Sequence, residues 1–229
     1  MAKTKKKQEF EKQDEQLQEV NEALTGAGKW IEDNANLISW IVAGIAIVVM
    51  AVIAINQYVI KPKALEAANE NAKAEAYFLA GDFDKALNGD DAECIGFEAI
   101  ADEYSLYQQG KLAALYAGIC YFEKGEFEDA AHFLKKFDAD DLNVAPAARQ
   151  LLGDAYVELG EYGKAAKAFE AAAKSGNEIV APMALKKAGL VYLHEDQKAK
   201  ALKAFKAIKA DYPQSAEAQD IDKYIAIAE

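Results

Sequence analysis

The chain has few of the residues from which catalytic and metal sites are built. It contains only two cysteines and two histidines among 229 residues. Cys94 and Cys120 form no CxxC pair, so we interpret them as free thiols, with a disulfide as the alternative. His132 and His194 have no Cys, Asp or Ser partner at a motif spacing, and no nucleotide-binding, GxSxG or HExxH motif is present. We therefore predict no enzymatic activity, no cofactor and no metal.

Basic side chains are also in the minority. The chain has 26 Lys and Arg against 38 Asp and Glu, for a net charge of −12. The first 63 residues carry eight charges of each sign, so the remainder carries 18 basic and 30 acidic side chains. Such a surface repels nucleic acid and anionic lipid. With only four prolines and abundant alanine, this part of the chain is predicted to be all-α.

One segment lacks charge altogether. No charged residue occurs between Asp33 and Lys61, and Leu37–Ile55 reads LISWIVAGIAIVVMAVIAI. Roughly 20 apolar residues in a helix span a bilayer. Its Leu, Ile and Val side chains each favour insertion by about 0.3–0.6 kcal/mol, or roughly 3–7 kcal/mol together. We predict a transmembrane helix over 37–60. A cleaved signal peptide and a buried core helix are the alternatives, but the run begins late and no A-x-A site follows it.

The lysines around this run give two readings of its orientation. The cluster at 3–7 is typical of the cytosolic start of a signal anchor, whereas the lysines at 61–73 favour the opposite orientation. Long domains translocate largely regardless of such charges. We predict a cytosolic, partly helical head over 1–36 and an outward C-terminal domain. Apolar residues seven apart within 10–24 suggest a docking helix or a solvated tail.

Three stretches of the C-terminal part share one pattern. Each has a glycine, a tyrosine three residues later, an alanine twelve residues later and a large apolar residue sixteen residues later. These residues are Gly118, Tyr121, Ala130 and Leu134; Gly153, Tyr156, Ala165 and Phe169; and Gly189, Tyr192, Ala201 and Phe205. The pattern resembles the tetratricopeptide repeat, whose units of about 34 residues are helix pairs that stack into an α-solenoid. We expect the glycine and the alanine to meet where the paired helices pack closest. The tyrosine and the large residue should fill the gap to the next unit.

The same pattern sets the predicted boundaries of a tetratricopeptide repeat domain over 61–229. A degenerate unit precedes the three full ones and contains an apparent insertion, Leu87–Gly96. The predicted ranges are about 64–110 for the degenerate unit, about 111–145, 146–181 and 182–215 for the full repeats, and 216–229 for a capping helix.

The resemblance also implies a partner-binding groove lined by the first helix of each pair. The lining positions lie six and three before the glycine, and one and four after it. They are Leu112, Leu115, Ile119 and Phe122; Ala147, Gln150, Asp154 and Val157; and Met183, Lys186, Leu190 and Leu193. Because they are chiefly apolar, they disfavour a clamp for a C-terminal carboxylate and favour a hydrophobic segment or an amphipathic helix. The alternative is a groove closed by the terminal helix or the insertion.

The whole arrangement resembles the YfgM-type family of bacterial inner-membrane proteins. The likeness rests on the single span, the helix KPKALEAANENAKAEAYF that follows it, and the repeats. That family is associated with the SecYEG translocon and a periplasmic chaperone. The resemblance implies a single-pass inner-membrane protein with a cytoplasmic N-terminus, which assists export or chaperone hand-over through protein partners, without nucleic acid or a small-molecule substrate. The rival hypotheses are a scaffold for envelope or cell-division machinery and a direct holdase for exported chains.

Overall fold

The computed structural model describes residues 25, 29–30, 33–90 and 93–229, and within these the helices are joined by turns and loops without any strand. The chain divides into two compact parts, Met1–Lys61 and Pro62–Glu229. The predicted partly helical head lies mostly outside the described residues.

The first part contains α1, Ala35–Ile55, which continues into a π-helical turn, Asn56–Ile60. No side chain of α1 is buried, and Trp40 is 78% exposed. Within the described residues, one helix, Ala35–Leu79, is long and apolar enough to cross a membrane, and none of its apolar window is buried. A core helix would instead pack its apolar side chains against the rest of the fold.

The second part, which we call the repeat domain, is built from helix pairs. The degenerate unit has α2 (Lys61–Leu79), α3 (Phe83–Asn88) and α4 (Gly96–Glu103). Unit 1 has α5 (Gln108–Lys124) and α6 (Phe127–Lys136), unit 2 has α7 (Val144–Glu158) and α8 (Tyr162–Ala173), and unit 3 has α9 (Val180–His194) and α10 (Lys198–Asp211). A 3₁₀ turn, Glu217–Gln219, and α11 (Ile221–Ala228) end the chain.

The insertion divides the second helix of the degenerate unit into α3 and α4. Between them, an Asp90 carboxylate oxygen accepts hydrogen bonds from the backbone N–H groups of Glu93 and Cys94, both at 2.9 Å. The Tyr77 hydroxyl on α2 donates to the other Asp90 oxygen at 2.7 Å. The insertion therefore folds back onto the first helix of its own unit. Leu87 and Cys94 at the two ends of the insertion are buried in the same core cluster as Phe97.

Within each full unit, the large apolar residue fills the space that the glycine leaves. A Cβ atom on Gly153 would lie 2.4 Å from Phe169 Cε1, and one on Gly189 would lie 2.3 Å from Phe205 Cε1. In unit 1 the corresponding neighbour is the Leu134 side chain. The long side chain therefore reaches across the helix pair to the glycine, and a close approach of glycine and alanine stays a prediction. The alanines themselves, Ala130, Ala165 and Ala201, are fully buried.

Two of the three motif tyrosines, Tyr121 and Tyr192, donate hydrogen bonds back to the preceding unit. The Tyr121 hydroxyl donates to Glu98 of the degenerate unit, and the Tyr192 hydroxyl donates to Glu170 Oε1 of unit 2 at 2.6 Å. Burial and this hydrogen bond raise the pKa of Tyr192 to about 12. Tyr156 makes no such bond within the described residues, since the chain has Lys135 where the other preceding units have glutamate.

Polar side-chain links join most neighbouring units. They are Lys124–Asp84 and Lys136–Asp102 before unit 1, Lys187–Asp154 and Asn177–Asn143 between units 2 and 3, and Lys186–Asp220 and Lys209–Asp222 after unit 3. Between units 1 and 2, the described residues show no ion pair and no hydrogen bond joining two side chains. That junction instead holds a small apolar cluster of Leu115, Leu134 and Ala148.

Candidate functional site

The predicted groove positions differ widely in exposure. Leu112 and Leu190 are 40% and 41% exposed, and Ala147 is also exposed. Leu115 is only 7% exposed and packs in the cluster between units 1 and 2, so it belongs to the core and offers no accessible surface. The remaining positions are half-buried: Ile119, Phe122, Gln150, Asp154, Val157, Met183, Lys186 and Leu193.

Both charged groove residues are paired within the domain. Lys187 Nζ on α9 lies 2.6 Å from Asp154 Oδ2 on α7. Lys186 Nζ lies 2.7 Å from Asp220 Oδ1 and 5.0 Å from the centre of the Tyr224 ring. The groove charges are therefore neutralised internally, and its accessible surface is mainly aliphatic.

Phe122 has a structural role in addition to its place on the predicted groove. Its ring packs edge-on against Phe127 of the same unit, with 5.4 Å between ring centres. It also packs against the main core cluster. Because the side chain is half-buried in these contacts, a charged substitution here would disturb folding as well as binding. Leu190 is the better reporter of the groove surface.

The predicted capping helix packs on the end of unit 3. Ile221 is 1% exposed, and Tyr224 and Ile225 pack against the core cluster. The Phe205 and Tyr224 ring centres lie 5.5 Å apart. Through Asp220 the terminal segment reaches the groove position Lys186, yet Leu190 stays exposed one helical turn further along α9.

The cysteines and histidines are not brought together. Cys94 and Cys120 are free and buried, and burial raises the pKa of the Cys120 thiol to about 12. His132 is exposed, and the His194 ring packs against the Tyr162 ring at a tilt of 40°, with ring centres 4.2 Å apart. Among the described residues, no group of His, Cys, Asp and Glu has a geometry suited to a metal ion.

One surface was not predicted from the sequence. A cleft of about 810 Å³, which we call the terminal cleft, lies where the start of α9 meets the chain that follows α10. Ile179, Met183 and Tyr212 supply apolar lining, and Met183 is its only residue from the predicted groove. The cleft forms only when the loops over 176–179 and 211–217 meet, so no local sequence pattern signals it.

A match to a known protein family agrees with this geometry. Residues 151–216 match the family model described as tetratricopeptide repeat, which covers most of units 2 and 3. The solved structure titled "Crystal structure of MamA" is similar, with 22% sequence identity and a TM-score of 0.49, over 68% of this chain and 91% of that chain. No curated protein matches this chain. The family match and the packing of the units support a tetratricopeptide-repeat α-solenoid, which is a protein-interaction module and typically non-enzymatic.

Proposed function

We propose that the protein is a membrane-anchored interaction module of a bacterial inner membrane. In this proposal 37–60 spans the bilayer, 1–36 is a cytosolic head, and the repeat domain over 61–229 lies in the periplasm. The uncharged run and its exposed side chains support the anchor. The excess of acidic side chains is consistent with protein partners and not with nucleic acid.

The concave groove is the proposed docking surface for a translocon subunit or a periplasmic chaperone, and the protein would assist export or chaperone hand-over there. The observation that carries this proposal is the exposure of Leu112 and Leu190 beside groove charges that are already paired. An aliphatic surface without free charge suits the apolar face of a partner helix.

The test is photo-crosslinking in living cells from position 190, with identification of the adducts by mass spectrometry. Position 227 on α11 is the matched control, because Ile227 is 50% exposed but lies outside the predicted groove. We expect adducts with translocon or chaperone subunits from position 190 alone. Adducts only with septal or wall-assembly proteins would favour the scaffold hypothesis. A range of many exported chains would favour a holdase.

A further inference from the structure

The terminal cleft combines apolar lining with unpaired negative charge. Ile179 is 73% exposed at its rim, and Met183 and Tyr212 line it further in. Three carboxylates also line it, from Glu178, Asp211 and Glu217.

These carboxylates differ from the charges of the concave groove. Within the described residues, none of the three has an ion pair or a side-chain hydrogen bond, whereas the groove residue Asp154 is held by Lys187. No Lys or Arg lines the cleft. It therefore presents a net negative potential beside exposed apolar surface, which attracts a cationic ligand and repels anionic lipid or nucleic acid.

A further exposed apolar side chain, Leu142, lies outside the cleft on the loop before α7. The Asn177 side chain donates to the Leu142 carbonyl oxygen at 2.8 Å, which fixes the loop before α9 against the loop before α7. Leu142 is 70% exposed. Leu142 and Ile179 thus occupy adjacent loops, so a polypeptide segment bound there would contact both side chains.

We propose that the terminal cleft and Leu142 form a second docking surface, distinct from the concave groove. Its ligand is a segment of a partner protein in which Lys or Arg side chains alternate with aliphatic or aromatic ones. The basic side chains pair with Glu178 and Asp211, while the apolar ones cover Ile179 and Leu142. Binding at this surface does not require a ligand in the concave groove, so either proposal can be refuted without affecting the other.

The test uses the full-length chain in detergent, with a photo-reactive amino acid at position 179, and a tagged peptide of alternating Lys and Leu. We expect an adduct at position 179 that decreases with rising salt, because unshielded surface charges contribute to the binding. The matched peptide with Glu in place of Lys should give no adduct. Replacing Glu178→Lys together with Asp211→Lys should lower the adduct yield about tenfold, through lost attraction and new repulsion.

The control variant is Glu158→Lys, which reverses an exposed charge at the other end of α7. It should leave the adduct yield unchanged. An equal loss with Glu158→Lys would show that the attraction is general to an acidic protein and would overturn the proposal. An adduct formed equally well by the Glu peptide, or one formed from position 190 and not from 179, would also overturn it.

Discussion

Gly153 and Phe169 show how the packing of a unit depends on single residues. The ring of Phe169 occupies the place of the side chain that Gly153 lacks, and Phe169 is 1% exposed, so protein surrounds it. The same complementarity recurs in unit 3 with Gly189 and Phe205. These glycines are needed for close approach and not for backbone flexibility, because they lie within helices.

Gly153→Ala is expected to destabilise the repeat domain by about 1–3 kcal/mol, because the added methyl group overpacks the interface with Phe169. Gly163→Ala is the matched control. Gly163 also lies in a helix, but a Cβ atom there would meet nothing within 4 Å. We expect that substitution to stabilise the protein by about 0.5–1 kcal/mol. Urea unfolding of the two variants measures both effects, and equal midpoints would contradict this account.

The Tyr192 hydroxyl should make stability depend on alkaline pH. Its pKa rises from an ordinary value of 10.0 to about 12 in the folded protein, so the native state holds this proton more tightly than the unfolded chain does. The resulting stabilisation is complete below pH 10 and is lost as the pH rises through 12.

Tyr192→Phe should therefore cost about 1 kcal/mol at neutral pH, through the lost bond to Glu170, and should flatten the alkaline decline. Tyr156→Phe, at the equivalent position without the hydrogen bond, should leave the free energy of unfolding at neutral pH unchanged. Denaturant unfolding over a pH series provides the measurement. The interpretation fails if the two variants behave alike.

At the scale of elements, α11 covers the end of the solenoid that would otherwise expose its core. Ile221→Ala should destabilise the domain by about 2–5 kcal/mol, since Ile221 is 1% exposed and its removal leaves a cavity. Ile227→Ala on the same short helix is the control, because Ile227 is 50% exposed. Thermal unfolding of both variants should show a large loss only for Ile221→Ala. Equal losses would mean that α11 is not a packed cap.

The helices themselves could be predicted from the sequence, because the glycine, tyrosine, alanine and large apolar positions recur at a fixed period. The interruption near Leu87–Gly96 was also visible as a break in that period. The partners of these residues could not be predicted. Which side chain fills the space at Gly118 depends on how the two helices of one unit pack, and which glutamate Tyr192 meets depends on how neighbouring units are oriented. The terminal cleft depends on loops that are far apart in sequence.

At the scale of the whole molecule, the uncharged run favours a lipid environment, whereas the acidic repeat domain favours water. A double variant with Val48→Arg and Val49→Arg should be released from membranes. Each arginine opposes insertion by about 2.5–3.5 kcal/mol near the helix centre, which together offsets most of the gain from the run. Neither valine is buried, so the fold should persist.

Leu65→Arg is the control, since Leu65 is 65% exposed outside the predicted span. Alkaline carbonate extraction of membranes measures retention. The double variant should appear in the supernatant, while Leu65→Arg should remain in the pellet. Retention of the double variant in the pellet would argue against a transmembrane anchor.

The apolar junction between units 1 and 2 also bears on how the solenoid responds to force. Every other junction described has ion pairs or hydrogen bonds between two side chains, which resist sliding because they require specific geometry. In the described part of this junction the polar link is a single hydrogen bond from the Arg149 side chain to the Ala139 carbonyl oxygen at 3.0 Å, and the contacts of Leu115, Leu134 and Ala148 are non-directional. A protein held at one end and pulled at the other would therefore yield first at this junction. Extension would proceed in two steps, with units 2 and 3 and the terminal helix separating as one block before either block unravels.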